Sequence, residues 1–135
     1  VVAPVEEFPV KKLILSTTLD RFAICQFAPQ SPVPEWVFDI GFFSITRTHE
    51  ELSIICPEAN VPENIISNCG WRVLKIEGQF DFNEIGVLNS ITTPLAKAQI
   101  SLLTISTFNT DYILIQESCF DHARLILKSA GHQID

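Results

Sequence analysis

Two stretches of the chain set β-branched and aromatic residues on either side of a short polar turn: 42–56 (FFSITRTHEELSIIC) and 100–116 (ISLLTISTFNTDYILIQ). That pattern predicts two β-hairpins. They align without a gap at an offset of 60 residues (104 − 44), which lays Ser44-Ile45-Thr46 on Thr104-Ile105-Ser106 and Glu51-Leu52-Ser53-Ile54-Ile55 on Asp111-Tyr112-Ile113-Leu114-Ile115. The same offset sets Lys12-Leu13-Ile14-Leu15 on Arg72-Val73-Leu74-Lys75, so most of the chain reads as a duplication, with units 1–69 and 70–135.

The second unit has the clearer order. A strand over 71–77 is followed by a helix over about 83–98, in which Ile85, Leu88, Ile91 and Leu95 recur at three- and four-residue spacing and Pro94 introduces a kink. The hairpin comes next, then a helix over about 119–129 carrying Ala123, Leu125, Ile126 and Leu127 and ended by Gly131. This βαββα order is most of a ferredoxin-like fold, whose fourth strand would come from the other repeat or be swapped. The first unit is degenerate, because Pro29, Pro32 and Pro34 leave no room for a long helix. It reads as a strand over 22–27, a proline-rich connection, a short extended run at Trp36-Val37-Phe38, the hairpin, and a short helix over about 62–68. The fold class is therefore α+β: antiparallel sheets with helices on one face, built from two ferredoxin-like repeats.

At 135 residues and 47% hydrophobic, the chain is long enough for an autonomous core. Nine basic residues stand against sixteen acidic ones, and the basic ones are scattered, which excludes nucleic acid and anionic membrane as partners. No apolar run reaches the roughly 18 residues of a membrane span, and Val1-Val2-Ala3-Pro4 lacks the features of a signal peptide, so the expected location is cytoplasmic. The absence of any Met, an initiator included, is read as trimming of the N-terminus. Cys25, Cys56, Cys69 and Cys119 form no C-x-x-C pair and read as structural thiols, and His122, three residues after Cys119, has no third ligand at zinc spacing. No metal or cofactor is expected.

The run 78–116 resembles the ACT-domain family, and specifically the tandem-ACT branch that includes the cytosolic arginine sensors called CASTOR proteins. The residues that carry the resemblance are Asn83-Glu84-Ile85-Gly86, Pro94-Leu95-Ala96 and Ile105-Ser106-Thr107-Phe108-Asn109-Thr110-Asp111. Phe42-Phe43-Ser44-Ile45-Thr46 and Glu50-Glu51-Leu52-Ser53-Ile54 extend it into the first unit. The resemblance implies an amino-acid-binding regulatory module whose ligand lies at an interface between ACT units, and hence, for a chain of two units, a homodimer. It implies that Glu84, Ile85 and Gly86 line one side of the pocket, that Thr107, Phe108 and Asp111 line the other, and that Ser101 and Leu102 of a second copy close it.

The same residues have a physical reading. The amides of Ile85, Gly86 and Val87, in the first turn of the expected helix, suit a ligand carboxylate. Asp111 suits its ammonium, Phe108 offers an apolar wall, and Glu84 is placed to take a second cation, so a basic amino acid is favoured. The structural alternatives are that Asn83 and Glu84 cap the helix, that Gly86 permits close packing, and that Asn109 and Asp111 serve only the hairpin turn. The offset of 60 makes Arg47, Thr48 and Glu51 the first-unit counterparts, which depart from the pattern and speak against a second site. Glu84 with Asp111, or Cys119 with His122, would be the only acid–base or nucleophile pairs, and no triad order, phosphate loop or G-x-G-x-x-G accompanies them, so no catalysis is expected. The competing reading is a protein-interaction or dimerisation module without a ligand, docking on an unidentified protein partner.

Overall fold

The computed structural model describes residues 11–78, 80 and 84–135. The chain order is β1 (Ile14–Thr17), β2 (Phe22–Phe27), β3 (Ser44–Arg47), β4 (Leu52–Pro57), β5 (Ser67–Ile76), α1 (Asn89–Lys97), β6 (Leu103–Ser106), β7 (Asp111–Gln116), α2 (Glu117–Ser129) and β8 (Gln133–Ile134). All strands lie in one sheet, antiparallel except for the β1–β8 pair. The α+β, ferredoxin-like architecture expected from the sequence is present, and the missing fourth strands have a definite origin. The inner half of β5 (Ser67 to Trp71) pairs with β2, giving the first unit the order β3-β4-β2-β5. The outer half of β5 pairs with both β7 and β1, giving the second unit the order β6-β7-β5-β1, with β8 beyond β1. Each unit thus completes its sheet with chain from outside its own βββ core.

This exchange corrects the uniform offset. The turns closed by Thr48 N–H to Glu51 O and Thr107 N–H to Thr110 O are 59 residues apart (107 − 48), one less than the sequence alignment sets. The strand equivalent to β2 is the outer half of β5, because Phe22 faces Pro57 as Trp71 faces Gln116, an offset of 49 (71 − 22). The difference of ten residues is the room that α1 needs and the proline-rich segment lacks. Lys12 to Leu15 is therefore no counterpart of Arg72 to Lys75: β1 instead lies against β5, with Leu15 facing Ile76.

Three further expectations are revised. Trp36 to Phe38 lies in a short 3-10 turn (Glu35–Phe38), not an extended run, and it buries Val37 under the first unit. The helix over 62–68 is absent: a turn with Ile65 N–H donating to Pro62 O leads into β5 at Ser67, where the chain is needed as a strand beside β2. Helix α1 begins at Asn89 instead of 83; Asn83 lies outside the described residues, and Gly86, at φ +85, turns the chain into the helix.

Both helices pack on one face of the sheet over Leu15, Leu74, Ile76, Ile113 and Ile115, contributing Ile91, Leu95, Phe120, Ala123 and Leu127. The opposite face buries Phe22, Trp71, Val73 and Leu114. There the sheet curls enough for Phe42, ahead of β3, to meet Tyr112 on β7, with ring centroids 4.8 Å apart.

Candidate functional site

The approach to α1 and the β6–β7 turn face each other across an open pocket of about 280 Å³, lined by Phe80, Glu84 and Gly86 to Asn89 on one side and Ser106 to Asp111 on the other. The volume lies at the low end for small-molecule clefts and suits a metabolite of amino-acid size.

The helix side is built around Gly86. Its carbonyl accepts Ser90 N–H (3.0 Å) and the Ser90 hydroxyl (2.7 Å), so one buried serine ties the turn to the helix. Ser90 Oγ in turn accepts the Lys11 N–H (2.9 Å), and Ser90 O lies 2.9 Å from Nε2 of the buried His132. His132 Nδ1 accepts the Leu13 N–H (3.1 Å), so Nε2 carries the proton that bonds Ser90 O. The start of the helix is thereby fixed against β1 and the segment after α2. The first-turn N–H groups of Ser90 and Ile91 are taken by Gly86 O and Leu88 O, so Gly86 to Leu88 lead into the helix instead of forming its first turn, and what favours an anion beside them is the positive end of the helix dipole.

The hairpin side is closed by Thr107. Its N–H and hydroxyl donate to Thr110 O (2.8 and 3.0 Å), and its hydroxyl accepts Thr110 N–H (3.3 Å). Thr110 Oγ1 donates to Ile76 O (2.6 Å), and Phe80 N–H donates to Asn109 O (3.1 Å), fastening the turn to the chain after β5. Asp111, across from Ser106 in the hairpin register, accepts the Ser106 hydroxyl at 2.5 Å. Phe108 is 80% exposed at the tip. The carboxylate of Glu84 is 3.2 Å from Lys11 Nζ.

Six of the nine residues singled out in the sequence therefore meet at this pocket: Glu84, Gly86, Val87, Thr107, Phe108 and Asp111. Ile85 is 62% exposed and does not line it, and the exposed Ser101 and the half-buried Leu102 lie ahead of β6, away from it. Phe80, Leu88, Asn89, Ser106, Asn109 and Thr110 also line it and are not among the nine. Ser106 was legible in principle, since a four-residue turn between Ser106 and Asp111 sets the two opposite one another.

The corrected offset changes the comparison of the units. Thr107 corresponds to Thr48, whose hydroxyl likewise accepts the N–H groups of Glu50 and Glu51 (3.1 and 3.2 Å), so this threonine is turn chemistry common to both hairpins. Asp111 corresponds to the fully buried Leu52. The acid is what sets the second hairpin apart. In the first unit the Arg47 guanidinium crosses from the hairpin to donate to Pro29 O and Ser31 O (the latter 2.9 Å).

Among the described residues no group of three His, Cys, Asp or Glu side chains is placed to hold a metal ion, and no helix is long and apolar enough to cross a membrane. Cys119, on α2 with His122, packs against the core.

A family model described as an ACT domain matches residues 66–129, and another described as an N-terminal domain matches residues 20–64. The human protein named cytosolic arginine sensor for mTORC1 subunit 1 is 36% identical over 98 residues, covering 67% of this chain but 29% of that protein. The chain thus spans less than a third of the length of this relative. A solved structure from Agrobacterium tumefaciens is 30% identical, with a TM-score of 0.87 and 93% of both chains covered. The regulatory subunit of aspartate kinase from Thermus flavus, 10% identical with a TM-score of 0.62 over 89% of this chain and 99% of that one, is similar in fold alone.

Proposed function

We propose that the chain, matched through residues 66–129 by an ACT-domain model, is a regulatory module that senses a free amino acid and carries out no catalysis. The observation that supports this most is the pocket itself: the positive end of α1 behind Gly86 to Leu88 for a carboxylate, and Asp111 opposite for an ammonium, bridged by a cavity of amino-acid size. The human relative is a cytosolic arginine sensor by name, which favours an amino-acid-sensing role and a cytoplasmic location for this chain.

In this reading the carboxylate is held near Gly86, Val87 and Leu88, the ammonium by Asp111, and the side chain lies against Phe80 and Phe108. Thr107 holds the turn in shape. The pocket is open to solvent, and a second copy of the chain, bringing Ser101 and Leu102 to its mouth, would complete it; the sensor is then a homodimer whose ligand lies at the interface. Regulation requires that the ligand bind two states with different affinity, typically about 1–3 kcal/mol of coupling to a protein partner.

Thermal unfolding in the presence of each of the twenty amino acids tests the proposal. A ligand at 100 times its dissociation constant adds about 2.7 kcal/mol, several degrees in Tm for a chain of this size. A selective shift is expected, with Asp111→Ala losing it while keeping the parent's own Tm within about 2 °C. A selective shift that survives in Asp111→Ala would remove Asp111 from the site.

A second reading, a docking module with no ligand, draws on one observation: Phe38, Ile40 and Phe43 are exposed at 54%, 83% and 40% on the first unit. Flat melting curves with all twenty amino acids, alongside a dimer in light scattering, would favour it.

A further inference from the structure

Two acids in one small pocket would ordinarily select a basic ligand, and the sequence alone points that way. The fold changes the sum by bringing in a residue 73 positions away in the chain. Lys11 Nζ lies 3.2 Å from Glu84 Oε2, with the two side chains 39% and 36% exposed. Its backbone is anchored as well, because the Lys11 N–H donates to Ser90 Oγ at 2.9 Å, and Ser90 holds Gly86 at the pocket edge. Two residues further on, Leu13 enters the core. Lys11 is therefore tethered beside Glu84.

We infer that Lys11 sets the selectivity of the pocket: by occupying Glu84 it turns the site against amino acids with a cationic side chain and toward those with an uncharged one. The inference rests on the amino-acid reading of this pocket. Among its described lining residues the only charged groups are Glu84 and Asp111. Asp111 is taken by the ligand ammonium, and Glu84 already has its cation. A ligand carrying a second positive charge must displace Lys11 from Glu84 or lie beside it as a like charge, whereas an uncharged side chain meets Phe80, Val87, Leu88 and Phe108 without either cost. Half-exposed ion pairs are weak, so the discrimination is modest, about two- to fivefold in affinity.

The test compares pairs that differ in charge and little in shape: L-arginine with L-citrulline, and L-lysine with L-norleucine. Dissociation constants are measured by calorimetry for the parent chain, for Lys11→Met and for Lys11→Met/Glu84→Gln. Because each ratio is taken within one variant, a change in fold stability cancels. The expected result is that the parent favours the uncharged member of each pair, that Lys11→Met moves the ratio about two- to fivefold toward the charged member, and that the added Glu84→Gln returns it. A parent that favours the charged members, or a ratio that Lys11→Met leaves unmoved, overturns the inference while leaving the amino-acid reading intact. If no amino acid binds the parent, that reading fails and takes this inference with it.

Discussion

At the scale of single residues, chemistry follows from what surrounds a side chain more than from its type, and the four cysteines show this. Cys56 is fully buried between β2 and the first-unit core, and loss of solvent, followed by the nearness of Cys25, pushes its thiol up to about 11. Burial, then the nearness of Cys69, raises Cys25 as well. Cys69 is exposed and Cys119 half-buried. The nucleophile is the thiolate, so a raised pKa keeps Cys56 protonated and inert until the pH nears 11. Labelling with a maleimide at pH 8, followed by intact mass, should modify Cys69 first and Cys119 next, leaving Cys25 and Cys56 until denaturant is added. Four labels at equal rates in the native protein would contradict the burial described for the first unit. The sequence had these residues as structural thiols, and it had Glu84, Gly86, Thr107 and Asp111 as neighbours. It did not show that Lys11 reaches Glu84, because no local pattern announces a contact over 73 residues. Nor did it separate Thr107, a turn lock shared with Thr48, from Asp111, which stands where the first unit has Leu52.

At the scale of elements, the two helices end in the same way with different residues. In α2 the N–H of His132 donates to Leu127 O (3.1 Å) and that of Gly131 to Lys128 O (2.9 Å), with Gly131 at φ +99. In α1 the N–H of Ile100 donates to Leu95 O (2.9 Å) and that of Gln99 to Ala96 O (3.0 Å), with Gln99 at φ +59. Both are Schellman terminations, which require a left-handed residue directly after the cap. Glycine takes that conformation freely, while a side chain pays about 1 kcal/mol for it. Gln99→Gly should therefore stabilise the chain by about 0.5–1 kcal/mol in urea unfolding, and Gly131→Ala should destabilise it by at least as much. A loss of stability in Gln99→Gly would mean that the glutamine side chain makes a contact worth more than the strain. Gly131 was readable as a terminator because it is glycine; the equivalent stop at Gln99 was hidden by an ordinary residue. The start of α1 was misplaced for a related reason. Ile85 and Leu88 continue the helical spacing of Ile91 and Leu95 backward, but Gly86 at φ +85 bends the chain before regular helix begins at Asn89.

At the scale of the whole molecule, the duplication was legible and the way its halves are joined was not. Hydrophobic alternation identifies a strand without saying which partner it takes, so Lys12 to Leu15 was matched to Arg72 to Lys75 as an equivalent when it lies beside that strand as a neighbour. The consequence is energetic. Residues 66–129 match a family model by themselves, yet the core under α1 and α2 includes Leu13 and Leu15 from the start of the chain, and β8 pairs with β1. Losing one buried leucine costs about 2–5 kcal/mol, and native domains hold only about 5–15 kcal/mol in all. A fragment of residues 66–135 loses two such leucines and leaves one edge of β5 without its strand, so it should show little tertiary signal from Trp71 and no cooperative urea transition as a monomer. The same fragment with residues 11–17 joined to its C-terminus by a flexible linker should regain both, because β1 would again lie between β5 and β8. The intact chain, whose β5 belongs to both units at once, should unfold in one transition seen alike by fluorescence and circular dichroism. Two separated transitions, or a cooperative fragment without β1, would show that the shared strand joins units that are stable independently. In the molecule as folded, Lys11 and Leu13, leading into β1, bond to Ser90 and His132, and Ser90 holds the pocket-lining Gly86, so the strand that completes the second unit is also tied to the approach to α1.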